Sequence, residues 1–181
     1  MKRIWVDRDK CLGCKSCELS CAVVRDSVSK TLFGAVRESE RPQARVAVHG
    51  ASGAAWPLQC RHCDAAPCIL ACPAGAMQRD EDSRAVFVDA ARCRGCYMCV
   101  MTCPFGCVVP SVHHQAVVKC DLCLHREEQA CVAACPTGAL LVLDEAGMRR
   151  VLAKRRDRIA LFAQDAAGDA PLSLEYQREG E

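Results

Sequence analysis

Sixteen of the seventeen cysteines in this 181-residue chain fall into four groups of four. The first is Cys11-x2-Cys14-x2-Cys17-x3-Cys21. The second, Cys60-x2-Cys63-x4-Cys68-x3-Cys72, is followed by Pro73. The third, Cys93-x2-Cys96-x2-Cys99-x3-Cys103, is followed by Pro104, and the fourth, Cys120-x2-Cys123-x7-Cys131-x3-Cys135, by Pro136. Any fold of this chain must gather those thiols, because little else is available to hold it. Aromatic residues make up 4% of the chain, and cysteine itself inflates the 51% hydrophobic fraction. A thin core rich in thiols is stapled either by disulfides or by metal. The start, Met1-Lys2-Arg3-Ile4-Trp5-Val6-Asp7, carries no apolar export segment and no twin arginine. No stretch reaches the roughly 18 apolar residues of a membrane span. A cytoplasmic, reducing location is therefore expected, and there, with an odd cysteine count, the staple is metal.

The spacing narrows the metal. A cubane [4Fe–4S] cluster has four iron corners, and each takes one thiolate. Cys-x2-Cys-x2-Cys lets a tight loop reach three corners with its backbone N–H groups turned toward the sulfides. The chain then enters a short helix that carries the fourth cysteine away. The longer x4 and x7 loops still bring the third thiolate home, because closure entropy grows slowly with length. Cys21-Ala22 lacks the proline but keeps the ligand. Four [4Fe–4S] clusters are expected, held by the sixteen cysteines of the four groups. Structural zinc is the alternative, since Cys-x2-Cys knuckles build four-thiolate sites; a zinc-rich or redox-sensing adaptor would follow from it. Zinc has no need of a third cysteine at x2 or a fourth at x3-Pro. Cys107 reads as a small buried hydrophobe more readily than as a replacement for Cys103. His62, His113, His114 and His125 read as solvent-facing groups or as hydrogen-bond partners of the site, and Tyr97 and Phe105 as shields.

Between the groups, Lys2–Asp7, Ala44–His49, Ala85–Asp89, Ala116–Lys119 and Leu140–Asp144 have the β-branched, apolar character of short strands. Glu18–Val24 and Ile69–Ala71 read as short helices, and Gly75, Gly106 and Gly138 as turns into the next strand. Residues 22–59 are expected to form a surface excursion containing one strand. A helix is expected over 145–163, with Met148, Val151, Leu152, Ile159 and Phe162 near one face. Arg149, Arg150, Lys154, Arg155, Arg156 and Arg158 give it a basic side, and 164–181 read as a polar tail. That helix suits packing on the body, docking of an acidic partner, or attachment to a membrane surface. The formal charge is +2. Each oxidised site, with four thiolates on a +2 core, is net about −2, so four sites bring the total to about −6. The basic residues then offset buried negative sites and leave no nucleic-acid footprint.

The stretch from Lys10 to Cys21, the Cys60-Arg61-His62-Cys63 run through Pro67-Cys68, and the later Cys-Pro groups resemble the four-cluster iron–sulfur subunits of the dimethyl sulfoxide reductase type, over roughly residues 1–145. Relatives of that type serve formate dehydrogenases, hydrogenases, carbon monoxide dehydrogenases and tungsten aldehyde oxidoreductases. The resemblance implies an α+β fold of two ferredoxin-like dicluster modules, one inserted in the other, plus a C-terminal helix. Residues 1–50 and 110–145 would form the outer module, 51–109 the inserted module, and 146–181 the helix and tail. It also implies ligand sharing between groups. Cys11, Cys14 and Cys17 would join Cys135, and Cys120, Cys123 and Cys131 would join Cys21. Cys60, Cys63 and Cys68 would join Cys103, and Cys93, Cys96 and Cys99 would join Cys72. The implied role is a relay of single electrons between a catalytic subunit, most readily a molybdenum or tungsten enzyme, and a flavin or ferredoxin-type partner. The chain has no dinucleotide fingerprint, phosphate loop or nucleophile constellation, so it is not expected to be an enzyme alone. Clusters in a line also admit self-assembly of copies into a longer conductor.

Overall fold

The computed structural model describes residues 2–50 and 55–168, and its contacts divide the chain after Leu143. In the first unit the strands are three or four residues long, too short to bury a face alone. They pair in four separate antiparallel ribbons: β1 (Arg3–Val6) with β8 (Leu140–Leu143), β2 (Val46–His49) with β3 (Trp56–Gln59), β4 (Met77–Arg79) with β5 (Val86–Val88), and β6 (Val108–Pro110) with β7 (Val117–Lys119). The first ribbon joins the two ends of the unit, Arg3 opposite Leu143 and Val6 opposite Leu140. Short helices link the strands: α1 (Ser16–Arg25), α2 (Leu32–Arg37), α3 (Pro67–Leu70), α4 (Met98–Thr102) and α5 (Ala130–Ala133). α1 packs on α5, and α3 on α4.

Two cores result, each built from two ribbons and one helix pair. Ile4, Val46, Leu122 and Leu140 close around Cys17, Cys21, Cys120 and Cys131 in the first. Met77, Val86, Val108 and Val117 close around Cys68 and Cys99 in the second. Thiols are thus core residues in the ordinary packing sense as well as reactive groups.

The strands expected at residues 2–7, 44–49, 85–89, 116–119 and 140–144 are all present, each within the expected span. Residues 22–59 depart from the expectation of an excursion with one strand. Thr31 caps α2 by accepting the Gly34 N–H at 3.1 Å, and β2 and β3 pair within the same stretch. The segment is tied down. The Glu38 carboxylate accepts from the Ser27 hydroxyl at 2.6 Å and the Ser29 N–H at 2.9 Å. His113 sits between Asp26 and Glu40 at 3.1 Å each, and Gln43 bonds both the Pro110 carbonyl and the Val112 N–H.

The second unit is described by one helix, α6 (Glu145–Gly168), longer than the expected 145–163. Asp144 caps it, its carboxylate accepting the Gly147 N–H at 2.7 Å. Within the expected apolar face, Met148 and Val151 are half-buried, whereas Leu152 and Ile159 are exposed. The side chains of Arg158 and Phe162, and the tail from residue 169 onward, lie outside the described residues.

Candidate metal centres

Each group places its third cysteine at the second position of a helix: Cys17 in α1, Cys68 in α3, Cys99 in α4 and Cys131 in α5. There the backbone N–H groups lack intrahelical partners and the thiol is 6–9% exposed. The fourth cysteine follows one turn later, toward the other end of the helix. Each short helix therefore lies between two thiol clusters.

The loops before those helices are wound into the left-handed region. Gly13 and Lys15 (φ 69° and 61°) flank Cys14, and Gly95 and Tyr97 (65° and 59°) flank Cys96, so the first and third groups share one loop shape. His62, Ala66, Leu122 and Cys123 do the same for the other two groups. Gly95 is required there: a Cβ would meet the Gln115 carbonyl oxygen at 2.9 Å. Such winding points successive N–H groups inward and makes a nest for negative charge.

The thiols that approach one another come both from within a group and from a different group. Cys135 lies within electrostatic reach of Cys14 and Cys17, although hydrogen bonding with Ser16 holds the Cys14 thiol below its ordinary value. Cys21 couples with Cys120, Cys123 and Cys131. Cys68 lies within electrostatic reach of Cys60 and Cys103, and Cys99 of Cys72, Cys93 and Cys68. Two of these sets line small hollows, one bordered by Cys21, Cys120, Cys123 and Cys131, the other by Cys72, Cys93, Cys96 and Cys99. Cys11 and Cys63 are half-buried.

Backbone N–H groups meet the fourth cysteine of every group. Ala76 donates to Cys72 Sγ at 3.3 Å, Cys107 to Cys103 at 3.4 Å and Ala139 to Cys135 at 3.2 Å, each across a turn with a left-handed glycine. The first group, which has no proline or glycine turn, receives the same donation from the Arg45 N–H, 3.3 Å from Cys21 Sγ. His62 donates to Cys60 and Leu122 to Cys120, both at 3.4 Å. Burial pushes the Cys17 and Cys99 thiols up to about 11 and Cys131 to about 12, and raises Cys21, Cys68 and Cys120. Burial acts on Cys72 and Cys135 too, yet their N–H donors hold both below the ordinary thiol value. Thiolates in these hollows need a cation to neutralise them, and a bound metal centre supplies it.

Four cysteines per group, the third at the start of a helix and the fourth one turn on, suit a polynuclear iron–sulfur group. Tetrahedral zinc with bonds of about 2.3 Å draws four sulfurs to within about 3.8 Å of one another. Among the described residues, no three His, Cys, Asp or Glu side chains converge tightly enough to hold a single ion. Cys107 packs half-buried with its S–H toward the Phe105 carbonyl, and burial pushes it up to about 12. His114 and His125 face solvent. His62 does not: it is 1% exposed, and its Nδ1 accepts the Val86 N–H at 2.9 Å. Tyr97 and Phe105 are partly exposed, with the Arg61 guanidinium over the Phe105 ring.

Three cations lie close to Cys120. Arg25 and Arg45 both bond Asp121, next to Cys120, and Lys119 is buried beside it. Spacing does not reveal them, because their partners are distant in sequence.

Residues 52–145 match the 4Fe-4S dicluster domain family, and residues 8–24 match a 4Fe-4S binding domain. The chain is 39% identical over 171 residues to UacF of Escherichia coli (strain K12), covering 93% of this chain and spanning only 25% of that protein. It is 36% identical to the electron transport protein HydN of the same organism, over 88% of this chain and 97% of HydN. It is 33% identical to the thiosulfate reductase electron transfer subunit PhsB of Salmonella typhi, over 96% of this chain and 90% of PhsB.

Proposed function

We propose that this chain, which belongs to the 4Fe–4S dicluster family, passes single electrons through four [4Fe–4S] clusters as the non-catalytic subunit of a larger redox complex. The observation that carries this reading is the gathering of thiols across groups, clearest where Cys72 meets Cys93, Cys96 and Cys99 around one hollow. The four sites would be Cys11, Cys14, Cys17 and Cys135; Cys21, Cys120, Cys123 and Cys131; Cys60, Cys63, Cys68 and Cys103; and Cys72, Cys93, Cys96 and Cys99. When bound, such clusters supply one-electron redox chemistry at potentials set by burial and hydrogen bonds to sulfur. The chain's own part is to hold them: nests of N–H groups and N–H···S bonds favour the anionic sites, and helices separate neighbours.

The two cores support a reading as two dicluster modules, one set within the other, with the inner core reaching past the expected 51–109 to Val117. Kinship with the dimethyl sulfoxide reductase type of subunit, a cytoplasmic location, and a molybdenum or tungsten catalytic partner with a flavin or ferredoxin-type second partner complete the proposal. The names of HydN and PhsB, as electron transport and electron transfer proteins, favour a relay over an adaptor. Iron and acid-labile sulfide per chain, on anaerobically purified protein, test the cluster count. About sixteen of each is expected; little iron with about four zinc would leave a zinc adaptor instead.

A further inference from the structure

Among the described residues, the largest fully buried side chain is a lysine. Lys119 ends β7, is 1% exposed, and directs its ammonium at two backbone carbonyls, those of Val86 and of Cys120, the latter at 2.6 Å. Val86 belongs to the second core and Cys120 to the first, so the charge sits at the seam between the cores. Burying an ammonium costs several kcal/mol even after relaxation, unless an opposite charge compensates. Among the described residues no carboxylate forms an ion pair with Lys119. The nearby Asp121 carboxylate is already engaged by Arg25 and Arg45. The ammonium is instead bonded to one carbonyl of each core, with Cys120 buried in the first core and Cys68 buried in the second. Each belongs to a site that would be net about −2 when loaded and about −3 after one-electron reduction.

We propose that Lys119 is a positioning cation shared by the two inner sites, Cys21–Cys120–Cys123–Cys131 and Cys60–Cys63–Cys68–Cys103, and that it raises the reduction potential of both. This rests on the four-cluster reading above. The two inner sites are the counter-charge that the buried ammonium otherwise lacks. Its attraction grows by one unit of charge when either site accepts an electron, so the reduced state is favoured there. No proton or bond changes hands: each site takes one electron from the donor. The two outer sites, holding Cys14 and Cys96, have no such cation at the seam. The seam thereby becomes the place where an electron settles as it crosses from one core to the other.

The test is an anaerobic, EPR-monitored redox titration of the iron-loaded protein, with dithionite as reductant, comparing wild type with Lys119→Met and Lys119→Gln. The glutamine keeps N–H donors for the two carbonyls and removes only the charge. Two of the four midpoints are expected to move to more negative potential and two to stay. A uniform shift of all four, or no shift, at full iron content overturns the proposal. Loss of iron from both variants makes Lys119 a purely structural residue and overturns it as well. Wild-type protein with little iron fails at the earlier step, against the cluster reading itself.

Discussion

Cys72 is where the exchange of ligands between groups is most open to measurement, because it lies in the second group yet lines a hollow with three cysteines of the third. Iron is counted in fours, so paired substitutions read out site membership directly. If Cys72 shares a site with Cys93, replacing both with alanine disables one site, and about twelve of sixteen irons remain. Replacing Cys72 and Cys60 disables two sites and leaves about eight. Membership by sequence group predicts the opposite order, about eight for the first pair and about twelve for the second. The assay is iron and acid-labile sulfide per chain after anaerobic reconstitution in the cold, with the absorbance near roughly 400 nm falling by about a quarter or about a half. The low temperature matters because each lost site also withdraws folding energy. More iron in Cys72→Ala/Cys60→Ala than in Cys72→Ala/Cys93→Ala would refute the reasoning from the hollow.

Removing iron by chelation under reducing conditions should abolish most of the secondary structure, since four of the nine buried residues of the first core are cysteines; retained far-UV circular dichroism would show that packing alone suffices. Asp121→Asn should cost about 3 kcal/mol in chemical denaturation of the iron-loaded protein, because two mostly buried guanidiniums lose their carboxylate. A loss below about 1 kcal/mol would reduce the network to the worth of a surface pair. Cys107→Ala should keep all of the iron at a cost below about 1.5 kcal/mol, the hydrogen bond from its S–H to Phe105 being weak; loss of about four irons would make it a ligand.

The strands legible in the sequence are those rich in β-branched residues, and the ones that escape reading are their partners. β3 carries Pro57, which ordinarily demotes a strand, yet it is tolerated on the edge of a two-stranded ribbon. β4 is Met77-Gln78-Arg79, polar and three residues long, and becomes a strand because Val86–Val88 lies opposite. α2 is missed because its apolar residues face outward: Phe33 and Val36 are more than four-fifths exposed, so no amphipathic period points to it. At the site, the sixteen cysteines are read from spacing alone, whereas their sharing between groups comes from resemblance. Neither spacing nor resemblance points to Arg45, whose N–H stands in for the turn the first group lacks from 24 residues away. Lys119 is legible as a strand residue but not as a buried charge, since the carbonyl of Val86 reaches it only in the fold.

The ribbon joining β1 to β8 has a consequence for biogenesis. Arg3 to Val6 cannot find their partners until Leu140 to Leu143 have been made. At about 5–20 residues per second, the roughly 120 residues between Cys17 and Cys135 take on the order of 6–24 s to synthesise. For that interval the first thiols emerge with no strand partner and no closing cysteine, while the second core, from Cys60 to Lys119, can already assemble. Newborn chains should therefore be most vulnerable to oxygen and stray metal at their earliest cysteines, and insertion of clusters should run from the middle of the sequence outward.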